Sequence, residues 1–142
     1  YYVSVFKDGR VVNVTHYPDN SDKAGQVLTA EWEVRGMRFV GLNGGPIFVP
    51  NEAASIMIDT ADQEETDGLW NAIVNNGGQE SACGWCKDRW GFSWQITPRA
   101  LLRANSNPDK AAARRAFAAM MTMRKIDIAR IEAAERGVAV DA

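Results

Sequence analysis

Cys83-Gly84-Trp85-Cys86 sets two thiols three residues apart, the spacing of a redox dithiol. Such a pair exchanges electrons when its first thiol sits at a helix N-terminus, where the dipole favours the thiolate. The surrounding sequence instead reads as a strand, and on a strand residues three apart point to opposite faces. The expectation is one packed thiol and one partly exposed one. Zinc would need two more ligands, and the chain has a single histidine, His16. Strand alternation puts His16 on one face with Val12 and Val14, and it could act as a base reaching into a cavity. No orienting partner is visible for it, and its place near a strand end favours a surface or packing role. Asn43-Gly44-Gly45-Pro46 could offer backbone N–H groups to an anion. No P-loop or dinucleotide pattern surrounds it, so a glycine-rich linking turn is the stronger reading. Trp32, Phe39, Trp85 and Trp94 fall on strands. Facing a hollow, they would line a pocket for a flat or apolar molecule; otherwise they are sheet core. Glu31 and Glu33 share a strand face. Paired carboxylates can do acid–base work, but here they read as a solvated face.

The elements that must position these groups follow from periodicity. Asp8-Gly9 is a turn, and Arg10 to Tyr17 is a β-branched strand. Pro18 to Asp22 is a polar loop. Leu28, Ala30, Trp32 and Val34 alternate with Thr29, Glu31 and Glu33, which marks a half-buried antiparallel strand. Arg35-Gly36 turns the chain, and Met37 to Leu42 returns. Ala53 to Asp59 is a strand with Ile56 and Ile58 on one face. Asp62 with Glu65 makes a capping box for a helix to about Val74, which Gly77-Gly78 ends. Strands over Ser81 to Lys87 and Gly91 to Thr97 follow, joined around Asp88-Arg89-Trp90. Asn107-Pro108 opens an Ala-rich helical tail to Arg136-Gly137, with Phe117, Met120, Met121, Ile128 and Ile131 at helical spacings. The tail breaks at Lys125-Ile126-Asp127, and Asp127 caps its last helix. The Met-rich stretch from Phe117 to Met123 offers adaptable apolar surface for the sheet or for a second subunit.

Bulk properties narrow the function classes. The chain has 142 residues, 46% hydrophobic and 24% charged, with a formal net charge of -2. That balance is globular, and nothing in it suits the neutralisation of phosphates, so nucleic acid is not an expected partner. No apolar run reaches membrane-spanning length, and no membrane partner is expected. Tyr1 to Phe6 lacks the basic start and apolar core of a signal peptide, which makes a cytoplasmic location the default.

Three blocks carry a family resemblance: Leu42-Asn43-Gly44-Gly45-Pro46, Cys83 through Ile96, and Met123-Arg124-Lys125-Ile126-Asp127-Ile128. Together, and in this order, they resemble the PhnB-like family, which also carries the name 3-demethylubiquinone-9 3-methyltransferase. That family is a branch of the vicinal-oxygen-chelate (glyoxalase, bleomycin-resistance and dioxygenase) superfamily. The resemblance implies an α+β fold of paired βαβββ modules with curved, antiparallel or mixed sheets, followed by C-terminal helices, and a homodimer. It implies one glyoxalase-like domain over 1–142, with a first module at 1–48, a second at 49–104 and helices at 105–137. It also implies that Tyr1 to Phe6 ends the first helix, so that a complete chain begins roughly 15–25 residues earlier, the length of a strand plus most of a helix.

Superfamily enzymes grip a divalent metal with His, Glu or Gln side chains on inward strand positions. By resemblance, Asp88 and Gly91 match an Asp-x-x-Gly motif that sets Gln95 at a ligand position. The other matched positions fall near Gly41 and Ala53, which have no ligating side chain. One neutral amide does not hold a divalent ion strongly, so no metal site and no cofactor are expected. A doubly wound methyltransferase needs a glycine-rich strand-to-helix turn for its adenosyl cofactor, and none is present. The expectation is a protein that binds a small-molecule ligand, with Gln95, Trp94, Trp32, Phe39, Asn43 and His16 as candidate ligand-binding residues. The alternatives are a superfamily enzyme, metal-dependent or methyl-transferring, and a dimeric interaction protein.

Overall fold

The computed structural model describes residues 1–138. The chain forms two units that part after Val49.

In the first unit the short helix α1 (Tyr2–Val5) precedes β1 (Arg10–His16), β2 (Val27–Val34) and β3 (Met37–Leu42). The strands form an antiparallel sheet in the order β1-β2-β3. Arg35 and Gly36 both take positive φ, 52° and 72°, the left-handed pair that a two-residue hairpin needs for its twist. The Asp8 carboxylate accepts from Arg35 N at 3.1 Å and holds that turn. One face carries Val11, Trp32 and Phe39 in register, and α1 packs on it: Tyr2 stacks on Trp32 at 5.1 Å, and Trp32 on Phe39 at 5.6 Å. Gly41 makes room for that layer, since a Cβ there would meet the Trp32 ring at 3.1 Å. The other face pairs Arg10 with Glu33 at 2.6 Å, Arg38 with Glu31, and Thr15 with Thr29, and also carries exposed Val40 and Leu42.

The second unit is built as β4 (Ser55–Thr60), α2 (Gln63–Val74), β5 (Gln79–Glu80), β6 (Trp85–Lys87) and β7 (Ser93–Pro98). Helices α3 (Arg99–Asn105), α4 (Lys110–Met120) and α5 (Ile128–Arg136) follow. Its mixed sheet has the order β4-β7-β6-β5, with β4 and β7 parallel and the rest antiparallel. The Asp62 carboxylate caps α2 by accepting from Glu65 N at 2.9 Å. Glu65 reaches back to Ala61 N at 2.7 Å, one residue before the cap. Leu69, Trp70 and Ile73 from α2 are buried, as are Ile58, Trp94, Ile96 and Cys86 on the strands. The tail helices enclose a second core of Leu101, Ala104, Ala116, Met123, Ile126 and Ile131. Asp127 caps α5, accepting from Arg130 N at 3.0 Å, and Gly137 ends it at φ 76°. No helix of the described residues is long and apolar enough to cross a membrane.

Two local expectations need correction. The stretch from Ser81 to Lys87 is not one strand. It is the end of a tight hairpin between β5 and β6, with Cys83 and Gly84 at φ 59° and 82°. Tertiary bonds bend it: Cys83 N donates to Met123 O at 2.8 Å, and Gly84 N to Arg124 O at 2.7 Å. The helical tail also starts earlier than 105. Strand β7 runs into α3 with no loop between, Pro98 standing at the N-cap without a capping side chain.

Candidate functional site

Strand alternation and register decide which side chains reach the face of the second sheet opposite α2. Ile56, Ile58, Trp94, Ile96 and Cys86 point toward the helix. The opposite face therefore carries Ser55, Met57 and Asp59 from β4, Ser93, Gln95 and Thr97 from β7, and Trp85 and Lys87 from β6. Cross-strand pairing sorts these into rows. Met57, Gln95 and Trp85 form one, and Ser55, Ser93 and Lys87 form the next. Gln95 stands mid-row on the central strand, its Nε2 donating to Ser55 Oγ at 2.8 Å. Met57 beside it is 50% exposed. Lys87 pairs with Glu52, which draws the Glu52 carboxyl below its ordinary range. Ser93 Oγ is buried and, among the described residues, has no hydrogen-bond partner. This face can hold a flat molecule between a thioether and an indole, with polar groups along one edge.

The sequence candidates distribute unevenly over this geometry. Gln95 lies on the open face. Trp94 lies on the other, 3% exposed, its indole Nε1 donating to Asp88 Oδ2 at 3.0 Å. Trp32 and Phe39 belong to the layer under α1 in the first unit. Asn43 closes the end of that unit's sheet. Its N donates to Leu28 O at 2.9 Å, its Nδ2 to Val27 O at 3.0 Å, and its O accepts from Tyr17 Oη at 2.9 Å. Gly44 N is bonded to Leu42 O at 2.9 Å, so the first two amides of the glycine turn face their own strands, not an anion. His16 is exposed at the end of β1, opposite Val27. The open-face residues Ser55, Met57, Ser93 and Lys87 went unremarked in the sequence. Once Gln95 is chosen, counting by two from it along β7 yields Ser93.

The Asp-x-x-Gly motif has a structural role. Asp88 Oδ1 accepts from Trp90 N at 2.9 Å and Phe92 N at 3.1 Å, while Gly91 takes φ 87° to close the β6–β7 turn. The thiols also resolve. Cys86 lies in the core, where burial first, then Asp88 and Glu80, pushes its thiol up to about 12. A thiol held protonated is a poor nucleophile. Cys83 is half-buried at the hairpin tip, its sulfur 3.6 Å from that of Met121.

No three His, Cys, Asp or Glu side chains gather as a metal set among the described residues. Gln95 has a thioether and an indole as its row neighbours, and its amide is tied to a serine. These donors do not fit a divalent ion, which takes charged or several oxygen ligands. A separate concavity of about 590 Å³ lies between α2, α3 and α5, lined by no strand residue. Its cations are matched by acids: Lys125 pairs with Asp67 at 2.7 Å and Arg103 with Glu132 at 3.1 Å. Arg99 pairs with Asp59 at 2.6 Å. Its remaining acids, Asp62 and Asp127, are spent capping α2 and α5.

The family described as 3-demethylubiquinone-9 3-methyltransferase matches residues 1–97. The chain belongs to that family. Among solved structures it is similar to the PhnB protein from Bacillus cereus, at 24% identity and a TM-score of 0.61, over 68% of this chain and 84% of that one. It is also similar to a protein from Pseudomonas aeruginosa, at 18% identity and a TM-score of 0.55, over 68% and 83%. At these identities the likeness speaks for the fold. No curated protein matches the chain. In this member of the family, β4, α2 and the hairpins that build the open face fall inside the matched region, and α3 to α5 lie beyond it.

Proposed function

We propose that this protein binds a small organic molecule on the open face of its second sheet, without a full set of metal ligands. The observation that carries the reading is the Met57–Gln95–Trp85 row. It sets an oriented amide between two soft, flat-accommodating side chains on the face opposite α2. Such a row recognises shape and a few hydrogen bonds, as the drug-sequestering relatives in the resembled superfamily do, and needs no turnover. The name methyltransferase belongs to the family. Here the β4–α2 turn, Ala61-Asp62, has no glycine, and the Ala61 and Glu65 amides there are taken by the Glu65 and Asp62 carboxylates.

Thermal melting against a panel of metabolites and hydrophobic antibiotics tests this. A true ligand at a hundredfold excess over its Kd should add about 2.7 kcal/mol and raise Tm by several degrees. Gln95→Ala should remove that shift while leaving the unliganded melt within about 1 kcal/mol, as a half-buried polar substitution does. A shift that survives Gln95→Ala moves the site elsewhere. Stoichiometric metal in the purified protein would favour the enzyme reading.

Homodimer assembly belongs to the same proposal. Ile47, Phe48 and Val49 are 79%, 90% and 80% exposed in the single chain, an apolar run that calls for cover. Sedimentation equilibrium should give twice the 15.6 kDa chain mass, and a monomer at micromolar concentration sinks this part.

A further inference from the structure

The open face carries one polar atom that the fold leaves unspent. Ser93 Oγ is buried, the residue 3% exposed, and no described group bonds to it. Leaving a buried hydroxyl unpaired costs about 1–3 kcal/mol, and folded proteins rarely accept that without a use for it. Its neighbours indicate the use. In register on one side is Ser55, whose hydroxyl is engaged by Gln95; on the other is Lys87. Lys87 is held by Glu52, a carboxylate on the loop before β4 whose side chain is 59% exposed. Two residues along, the same strands present Gln95 and Trp85. An unpaired hydroxyl, an ammonium with a replaceable carboxylate partner and an indole therefore lie side by side.

Resting on the binding reading above, we propose that Ser93 and Lys87 form an anion-recognising edge of the site, so that the ligand class is a flat apolar body bearing one carboxylate or enolate. Ser93 Oγ is covered in the empty protein, so the ligand oxygen reaches and accepts from it only as it takes the place of Glu52 at Lys87 Nζ. Its ring lies along Trp85 and Met57. Glu52 thus stands in for the ligand's anion in the empty protein and competes with it.

The probes are 2-naphthoate and its neutral counterpart 2-naphthalenemethanol, titrated by calorimetry into the whole protein. Naphthoate should bind about tenfold more tightly, as a hydrogen bond to a charged group allows. Ser93→Ala and Lys87→Gln should each erase that preference while changing the alcohol's Kd by less than about twofold. Glu52→Gln should tighten naphthoate, and Trp85→Leu should weaken both probes. Ser93→Ala should keep Tm or raise it by a few degrees, because the orphan hydroxyl disappears. A Tm that instead falls by several degrees reveals a structural partner for the hydroxyl and overturns the proposal. Binding of the alcohol as tightly as naphthoate removes the anion edge and leaves the open-face reading intact. If neither probe binds, both fall.

Discussion

Asp88→Ala should destabilise the protein by about 3–5 kcal/mol, because it strips the acceptor from three donors at once. The carboxylate is 3% exposed and takes hydrogen bonds from Trp90 N, Phe92 N and the Trp94 indole. Two of these close the turn that pairs β6 with β7. The third crosses into the core, where Trp94 is itself 3% exposed and its N–H meets no water once the carboxylate is gone. Asp88→Asn separates the parts. One amide oxygen can still serve the two backbone donors, but the amide nitrogen then opposes the indole N–H. Its cost should lie between wild type and alanine, at about 1–3 kcal/mol. Trp94→Phe in the asparagine background removes the opposed donor, so the pair should cost less than the sum of the singles. Urea denaturation followed by circular dichroism measures all four. An Asp88→Ala protein within about 1 kcal/mol of wild type would show that Gly91 and the Asp88–Phe92 and Gly91–Asp88 backbone bonds hold the turn without the carboxylate.

This residue also illustrates what the sequence makes legible. Asp88 and Gly91 stand out as a pair three apart, and by resemblance they lead to Gln95 four residues on. The pair does not announce that its chemistry is spent on backbone N–H groups and an indole. Local pattern was enough wherever a rule acts within a few residues. The Arg35-Gly36 hairpin, the Asp62–Glu65 box and the Asp127 cap are of this kind, and each lies where the sequence puts it. Local pattern failed where distant backbone decides. The segment 81–87 has strand-like composition, yet its two amides bond to carbonyls about forty positions away and the strand breaks. The aromatic residues show the same limit. Trp32, Phe39 and Trp94 are chemically as fit to line a pocket as Trp85. Only register and the position of α1 and α2 show that the first three pack under a helix and that Trp85 shares a row with Gln95.

The hairpin at Gly84 couples the sheet to the helical tail, and a single methyl group should expose that coupling. A Cβ at residue 84 would meet Ile96 O at 3.1 Å and Ile126 Cγ1 at 3.0 Å, with the backbone at φ 82°. The left-handed conformation alone costs a side chain about 1–2 kcal/mol. Overpacking in a dense core adds about 1–3 kcal/mol, so Gly84→Ala should lose about 2–5 kcal/mol. The two contributions come apart through Ile126, which is fully buried in the tail core. Ile126→Ala by itself opens a cavity and should cost about 2–5 kcal/mol. Combined with Gly84→Ala, it also removes the atom that the new methyl strikes, while the φ strain and the Ile96 carbonyl remain. The double variant should then be more stable than the sum of the singles by about 1 kcal/mol or more, the size of coupling between touching residues. Additive losses would mean that the hairpin and the Ile126 side chain move apart without strain when the methyl is added. Because both amides donate to carbonyls of residues 123 and 124, a shift of the hairpin must strain those bonds as well as the packing. Amide exchange at Cys83 and Gly84 should therefore rise in Gly84→Ala and stay near wild type in a surface control such as Arg114→Ala.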